Sequence, residues 1–343
     1  MNVAMTKRLS HRAAMIFGSM IALTLVGGPR DADSQGQNPF RARADTGEIV
    51  HVLPTPASVH SPRDTGPTMA PVANETKVYA ASYGSGTLVH HGGPVMTNAG
   101  FWALYWNSTV ADATDTSFIK GTGTRYASLR EQMDAFLVSF GNDAPYSQAP
   151  TDDFSIVQQY GPQIRNTVQY FGYRVAKERT KSSISDSGIR NFIAQQLGSP
   201  GMSVSTDIIY GVYLPRGMKV TMSGGASCST FCGYHGHFNY DGVDIRYAVF
   251  PYLDCSACKL STMSVADMIT IVASHEIREA VTDPQLNAWY DGQGYEADDK
   301  CAWHNLYRMN EGDFAVQPEY SNGGAKTPLG VDYPGPGCVV PPQ

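Results

Sequence analysis

The chain has 343 residues, 42% hydrophobic and 16% charged, enough to bury a substantial core in one or two domains. Its formal net charge of −6 lacks the basic footprint of a nucleic-acid-binding protein. The low charge with 34 Gly, 21 Pro and 19 Tyr residues describes an extracellular, loop-rich protein better than a cytosolic one.

Lys7, Arg8 and Arg12 precede the apolar run from Ala13 to Gly27. A basic region followed by such a run, with small and polar residues after it, is the pattern of a secretory signal peptide. The run is short for a membrane span, so an uncleaved anchor is the lesser alternative. The expected product is a secreted protein (extracellular or periplasmic) with no membrane contact after cleavage. The signal covers residues 1–28, with cleavage between Gly28 and Gln35. Residues 29–76 are rich in Pro, Ser, Thr, Asp and Arg without apolar periodicity, which predicts a disordered linker or pro-segment. A single globular domain is expected from residue 77 to residue 343.

Within it, residues 78–83 predict a short strand. The aromatic run Phe101 to Trp106 predicts a buried one. Leu129, Met133, Phe136, Leu137 and Phe140 recur at helical spacing. Residues 155–160 and 167–175 predict strands or a hairpin. Asp186 to Leu197 predicts a second helix, ended at Gly198, and residues 207–214 and 243–250 predict strands. The order implies an α/β or α+β fold, a mixed sheet with helices packed on it, closed by an irregular tail with cysteines. The smaller zinc peptidases share the order of a sheet before the metal helix.

Six cysteines, Cys228, Cys232, Cys255, Cys258, Cys301 and Cys338, lie in the C-terminal third. In an exported chain an even number predicts disulfides. Cys301 with Cys338 is the preferred pair, because it ties down the tail. The spacing of the first four also suits a four-thiolate zinc site, the lesser alternative.

A mostly apolar helix is expected from Ser264, with Asp267 completing a capping-box pattern, to a stop at Pro284. His275 and Glu279 then stand one turn apart on one face, where an imidazole and a carboxylate can share a metal ion. Glu276 holds the place of the general base in the zinc-peptidase pattern H-E-x-x-H, with Glu279 replacing the second His. Acidic residues at a helix C-terminus are disfavoured by about 0.3–1 kcal/mol each, and a cation reverses that sign. Glu296 is the first choice for a further ligand and Asp283 the second, with Asp298 and Asp299 also in reach. The expected cofactor is zinc; calcium or manganese also suits so oxygen-rich a set. His235-Gly-His237 is a competing constellation if it lies on a strand, and otherwise a loop pair; one of the two is a further candidate to approach the His275 site as a ligand or oxyanion stabiliser. His90 and His91 are expected in a turn. Trp289, Tyr290, Trp303 and Tyr307 are expected either to line a cleft or to pack.

Several pieces resemble the exordium-like, or phosphate-induced, family of secreted proteins. They are His91-Gly-Gly-Pro-Val-Met-Thr97 leading to Tyr105-Trp106, Phe231-Cys-Gly-Tyr-His-Gly236, and Cys255-Ser-Ala-Cys258, spread over residues 85–340. The stretch from His275 to Pro284, with Trp289-Tyr-Asp-Gly292, Glu296-Ala-Asp-Asp-Lys-Cys301 and Gln317-Pro-Glu-Tyr-Ser-Asn322, resembles a microbial branch. The resemblance implies export and a disulfide-bearing domain. A second resemblance, to zincin metallopeptidases, rests on the His275 helix alone.

Two functions follow. One is a secreted metal-dependent hydrolase, a zinc peptidase acting on a peptide or cell-wall substrate, with His275, Glu279 and Glu296 holding the ion. The other is a non-catalytic secreted or cell-wall-associated protein whose acidic site is structural or binds calcium.

Overall fold

Seven strands build the central sheet: β1 Arg41–Arg43, β2 Ile49–Pro54, β3 Gly100–Tyr105, β4 Gln169–Val175, β5 Ile208–Tyr213, β6 Phe231–Tyr240 and β7 Val243–Phe250. Their order across the sheet is β1-β2-β6-β7-β5-β3-β4. The β1, β2, β6 and β7 pairings are antiparallel, and β7, β5, β3 and β4 pair in parallel. This computed structural model describes residues 38–59, 66–114, 126–141, 153–161, 163–327 and 330–343. The expected signal peptide and its cleavage window lie outside them. The fold is α+β, with a large mixed sheet, few helices and disulfide-bonded cysteines in the C-terminal region.

Three helices flank the sheet: α1 Leu129–Phe140, α2 Asp186–Leu197 and α3 Val265–Thr282. Each begins where its sequence supplies a cap. Ser128 and Ser185 accept from the backbone N–H groups of Glu131 and Gly188. Ser264 and Asp267 form the reciprocal capping box, each side chain accepting from the other's backbone N–H at 3.0 Å. All 18 residues of α3 are buried, because the helix lies on β6 and β7 and is covered from the other side.

Two expectations are corrected. Residues 155–160 form a 3-10 helix instead of a strand. Ile156, Val157 and Tyr160 are buried, and the Gln158 side chain closes the turn on the Ile164 carbonyl; so short an apolar run carries no readable period. Within the expected linker, β1 and β2 join the central sheet, and every β2 residue after Ile49 is buried. The run Ile49-Val-His-Val-Leu53 is apolar but brief, and it becomes a strand only through its pairing with β6. Residues 78–83 contribute only the end of a three-residue strand, Lys77–Tyr79, which pairs with Gly337–Val340 in the tail.

The disulfides are Cys228–Cys255, Cys232–Cys258 and Cys301–Cys338. The last is the expected pair, and the other two remove the thiolates that a zinc site would need. Three disulfides fit an oxidising, extracellular-type environment. No helix among the described residues is long and apolar enough to cross a membrane.

Gly233 of β6 sets how closely α3 can approach the sheet. A Cβ there would stand 2.2 Å from Val272 Cγ1 and 3.4 Å from Glu276 Oε1. Gly233→Ala is therefore expected to destabilise the protein by about 1–3 kcal/mol through overpacking. A denaturant midpoint equal to that of the wild type would show that the helix can shift freely.

Candidate metal centre

The second half of α3 brings His275 and Glu279 together, with Nε2 and Oε2 3.0 Å apart and both side chains fully buried. The chain then reverses. Asp283, the C-cap, accepts from the backbone N–H groups of Asn287 and Ala288 at 2.6 Å each. Asp291 accepts from those of Gln293 and Tyr295. These turns return Glu296 to the helix. Its N–H donates to Asp299 Oδ2 (2.8 Å), and the Asp299 N–H donates to Glu279 Oε1 (3.0 Å).

Two histidines enter from the sheet. His51 of β2 and His235 of β6 are register partners on adjacent antiparallel strands, so both rings reach the same face beneath α3. His51 Nδ1 lies 3.5 Å from Glu279 Oε2 and 3.4 Å from Glu296 Oε1. His235 Nε2 lies 3.8 Å from Glu296 Oε2. One donor atom from each of His51, His235, Glu279 and Glu296 falls within 4.8 Å of all the others. His275, Glu276 and Glu279 form a second such group, so Glu279 belongs to both.

The electrostatics suit a cation at such a cluster. Glu276, Asp283, Glu296, Asp298, Asp299 and Glu319 are at most 2% exposed. Burial pushes Glu276, Glu296, Asp299 and Glu319 well above the usual carboxylate range, and neighbouring carboxylates add to it. Asp283 and Asp298 are raised to about 7, mainly by burial. Glu279 is the exception. Burial would raise it, but His275 and His51 outweigh that and hold it below its ordinary value. Burial lowers His235 to about 3, so its ring is neutral and can act as a ligand. For His275, burial opposes the proton, yet the facing Glu279 carboxylate raises it to about 9.

Many of these atoms are left over. His51 Nδ1, both ring nitrogens of His235, Glu279 Oε2 and Glu296 Oε2 have no hydrogen-bond partner among the described residues, and neither do the two Glu276 oxygens. Each unpaired buried polar atom costs about 1–3 kcal/mol, more for a charge. A convergent set of imidazole and carboxylate donors could hold a metal ion and would satisfy most of them.

The structure thus brings Glu279 together with Glu296, and His275 and Glu276 with Glu279. Asp283 belongs to neither group; its Oδ1 closes the turn, its Oδ2 has no hydrogen-bond partner among the described residues, and its charge acts on Glu296. Asp298 is committed to Arg278, and Asp299 sits beside His51, with Nε2 3.6 Å from Oδ2. His51 was hidden in a polar, proline-rich arm. His235 was recognisable only through its strand, and the Asp241-Gly242 turn between β6 and β7 was the available signal; both turn residues have positive φ. His237 turns away and pairs with Asp244 at 2.8 Å. His91 stacks on Tyr290 at 3.6 Å, and Trp289 packs on Tyr160, with which it also lines a cavity beside His90 and Thr97. Phe40 stacks on the His275 ring, with Tyr83 and Tyr295 edge-on against it.

Comparison with protein-family models, curated proteins and solved structures found no match.

Proposed function

We propose that this protein is a secreted metal-dependent hydrolase, acting as a zinc peptidase on a peptide or cell-wall substrate, and that it is exordium-like. The observation that carries the reading is Glu276. It is fully buried next to the donor cluster, and neither oxygen has a hydrogen-bond partner among the described residues. The Leu53 backbone favours its anion but falls short of hydrogen-bond geometry. A structural ion held by His51, His235, Glu279 and Glu296 would leave this carboxylate unused, and it costs stability where it stands. A role as general base would use it. A bound cation would polarise the scissile carbonyl and make water a better acid. Glu276 would take the proton of that water, and the Phe40, Tyr83 and Tyr295 cover would move to admit substrate.

The complete burial of the cluster favours a second reading, a non-catalytic cation site that ties α3 to the sheet. Glu276→Gln separates the two. It is expected to fold and retain metal while turnover on casein-derived peptides or cell-wall peptides falls about 10²–10⁴-fold. Equal turnover in variant and wild type, or none in either, removes the hydrolase reading.

A further inference from the structure

We infer that the cation is held by His51 Nδ1, His235 Nε2, Glu279 and Glu296, and that His275 is a positioning residue that orients Glu279. The inference rests on the metal reading above and changes its ligand set: the His of the helix motif leaves it, and two histidines from the sheet enter.

Distances separate the two roles. Zinc bonds of about 2.0–2.1 Å in a tetrahedron place the ligand atoms roughly 3.3 Å from one another. The separations of His51 Nδ1 from Glu279 Oε2 and Glu296 Oε1, 3.5 and 3.4 Å, and of His235 Nε2 from Glu296 Oε2, 3.8 Å, are close to such edges and long for hydrogen bonds. His275 Nε2 lies 3.0 Å from Glu279 Oε2 but outside the group in which His51, His235, Glu279 and Glu296 converge.

The surrounding contacts agree. Gln317 Nε2 donates to the Asp298 carbonyl at 2.7 Å, which fixes the orientation of that amide because a carbonyl can only accept. The same Nε2 lies 3.1 Å from His275 Nδ1. Gln317 thereby holds the His275 ring at Nδ1, while Nε2 faces Glu279 Oε2 and neither atom has a hydrogen-bond partner among the described residues. His51 is held from its other ring nitrogen. Its Nε2 faces Asp299 Oδ2 at 3.6 Å, the place of an outer carboxylate, which leaves the Nδ1 lone pair free. Glu279 completes the pattern, with Oε1 held by the Asp299 N–H and Oε2 left for the ion.

The test is X-ray absorption on the full chain loaded with zinc(II), beside elemental analysis of His51→Ala, His235→Ala and His275→Ala. Two imidazoles on the zinc are expected. His51→Ala and His235→Ala should lose the metal, and His275→Ala should keep about one zinc per chain with affinity weakened roughly 10–100-fold. A single imidazole, or zinc retained by His235→Ala and lost by His275→Ala, overturns this ligand set and leaves the hydrolase reading standing. A wild-type chain that takes up no zinc overturns both. Should a variant fail to fold by circular dichroism, the imidazole count in the wild type decides alone.

Discussion

Arg278→Met is expected to destabilise the protein by about 3–5 kcal/mol, the loss typical when one partner of a buried ion pair is removed. Arg278 is 1% exposed and ties three separate segments to α3. Its Nε donates to Asp298 Oδ1 (3.0 Å), and Nη2 reaches the same carboxylate oxygen. Nη1 donates to the Asp153 carbonyl (3.1 Å) and Nη2 to that of Gln317 (2.7 Å). Without the guanidinium, Asp298 is an unpaired buried acid among other carboxylates, and Gln317 loses the neighbour that holds its backbone. For a domain of this size the melting temperature should fall by roughly 10 °C. The double variant Arg278→Met/Asp298→Asn should recover part of the loss, since the stranded charge is gone. A single-variant loss under about 1 kcal/mol would show that the network is incidental.

Removal of the proposed metal should be comparable in size, and it tests the proposed function from the side of stability. An ion present at a thousand times its dissociation constant stabilises the folded state by about 4 kcal/mol. Stripping with a chelator should therefore lower the melting temperature by roughly 10 °C. Part of the remaining stability also depends on keeping Glu296 and Asp299 protonated, as burial and their acidic neighbours require without a cation. Re-addition of zinc should restore the transition, and calcium should not, because imidazole nitrogens are poor calcium ligands. Identical melting curves with and without chelator would dismiss the cation.

What the sequence by itself determined is mainly local. Helix α3, with its capping box and its stop before Pro284, was readable because Ser264, Asp267 and the apolar turns act within a few residues of one another. The same holds for α1, α2, β5 and β7, and for the juxtaposition of His275 with Glu279, which helix geometry imposes. The pairing of Cys301 with Cys338 was also legible, from the need to anchor a tail. Only the tertiary structure decided the rest of the centre. His51 is 228 residues from Glu279 in the chain, taken as the difference of their numbers, and it arrives through strand pairing. Nothing near residue 51 encodes that pairing except a brief apolar run, and His235 likewise gains its meaning from lying opposite His51. The turn made by Asp283, by contrast, is local, closed by backbone N–H groups four and five residues onward. Short-range patterns specify helices and their caps; a group of donors drawn from a helix, two strands and a returning loop exists only once long-range pairing has brought them to one point.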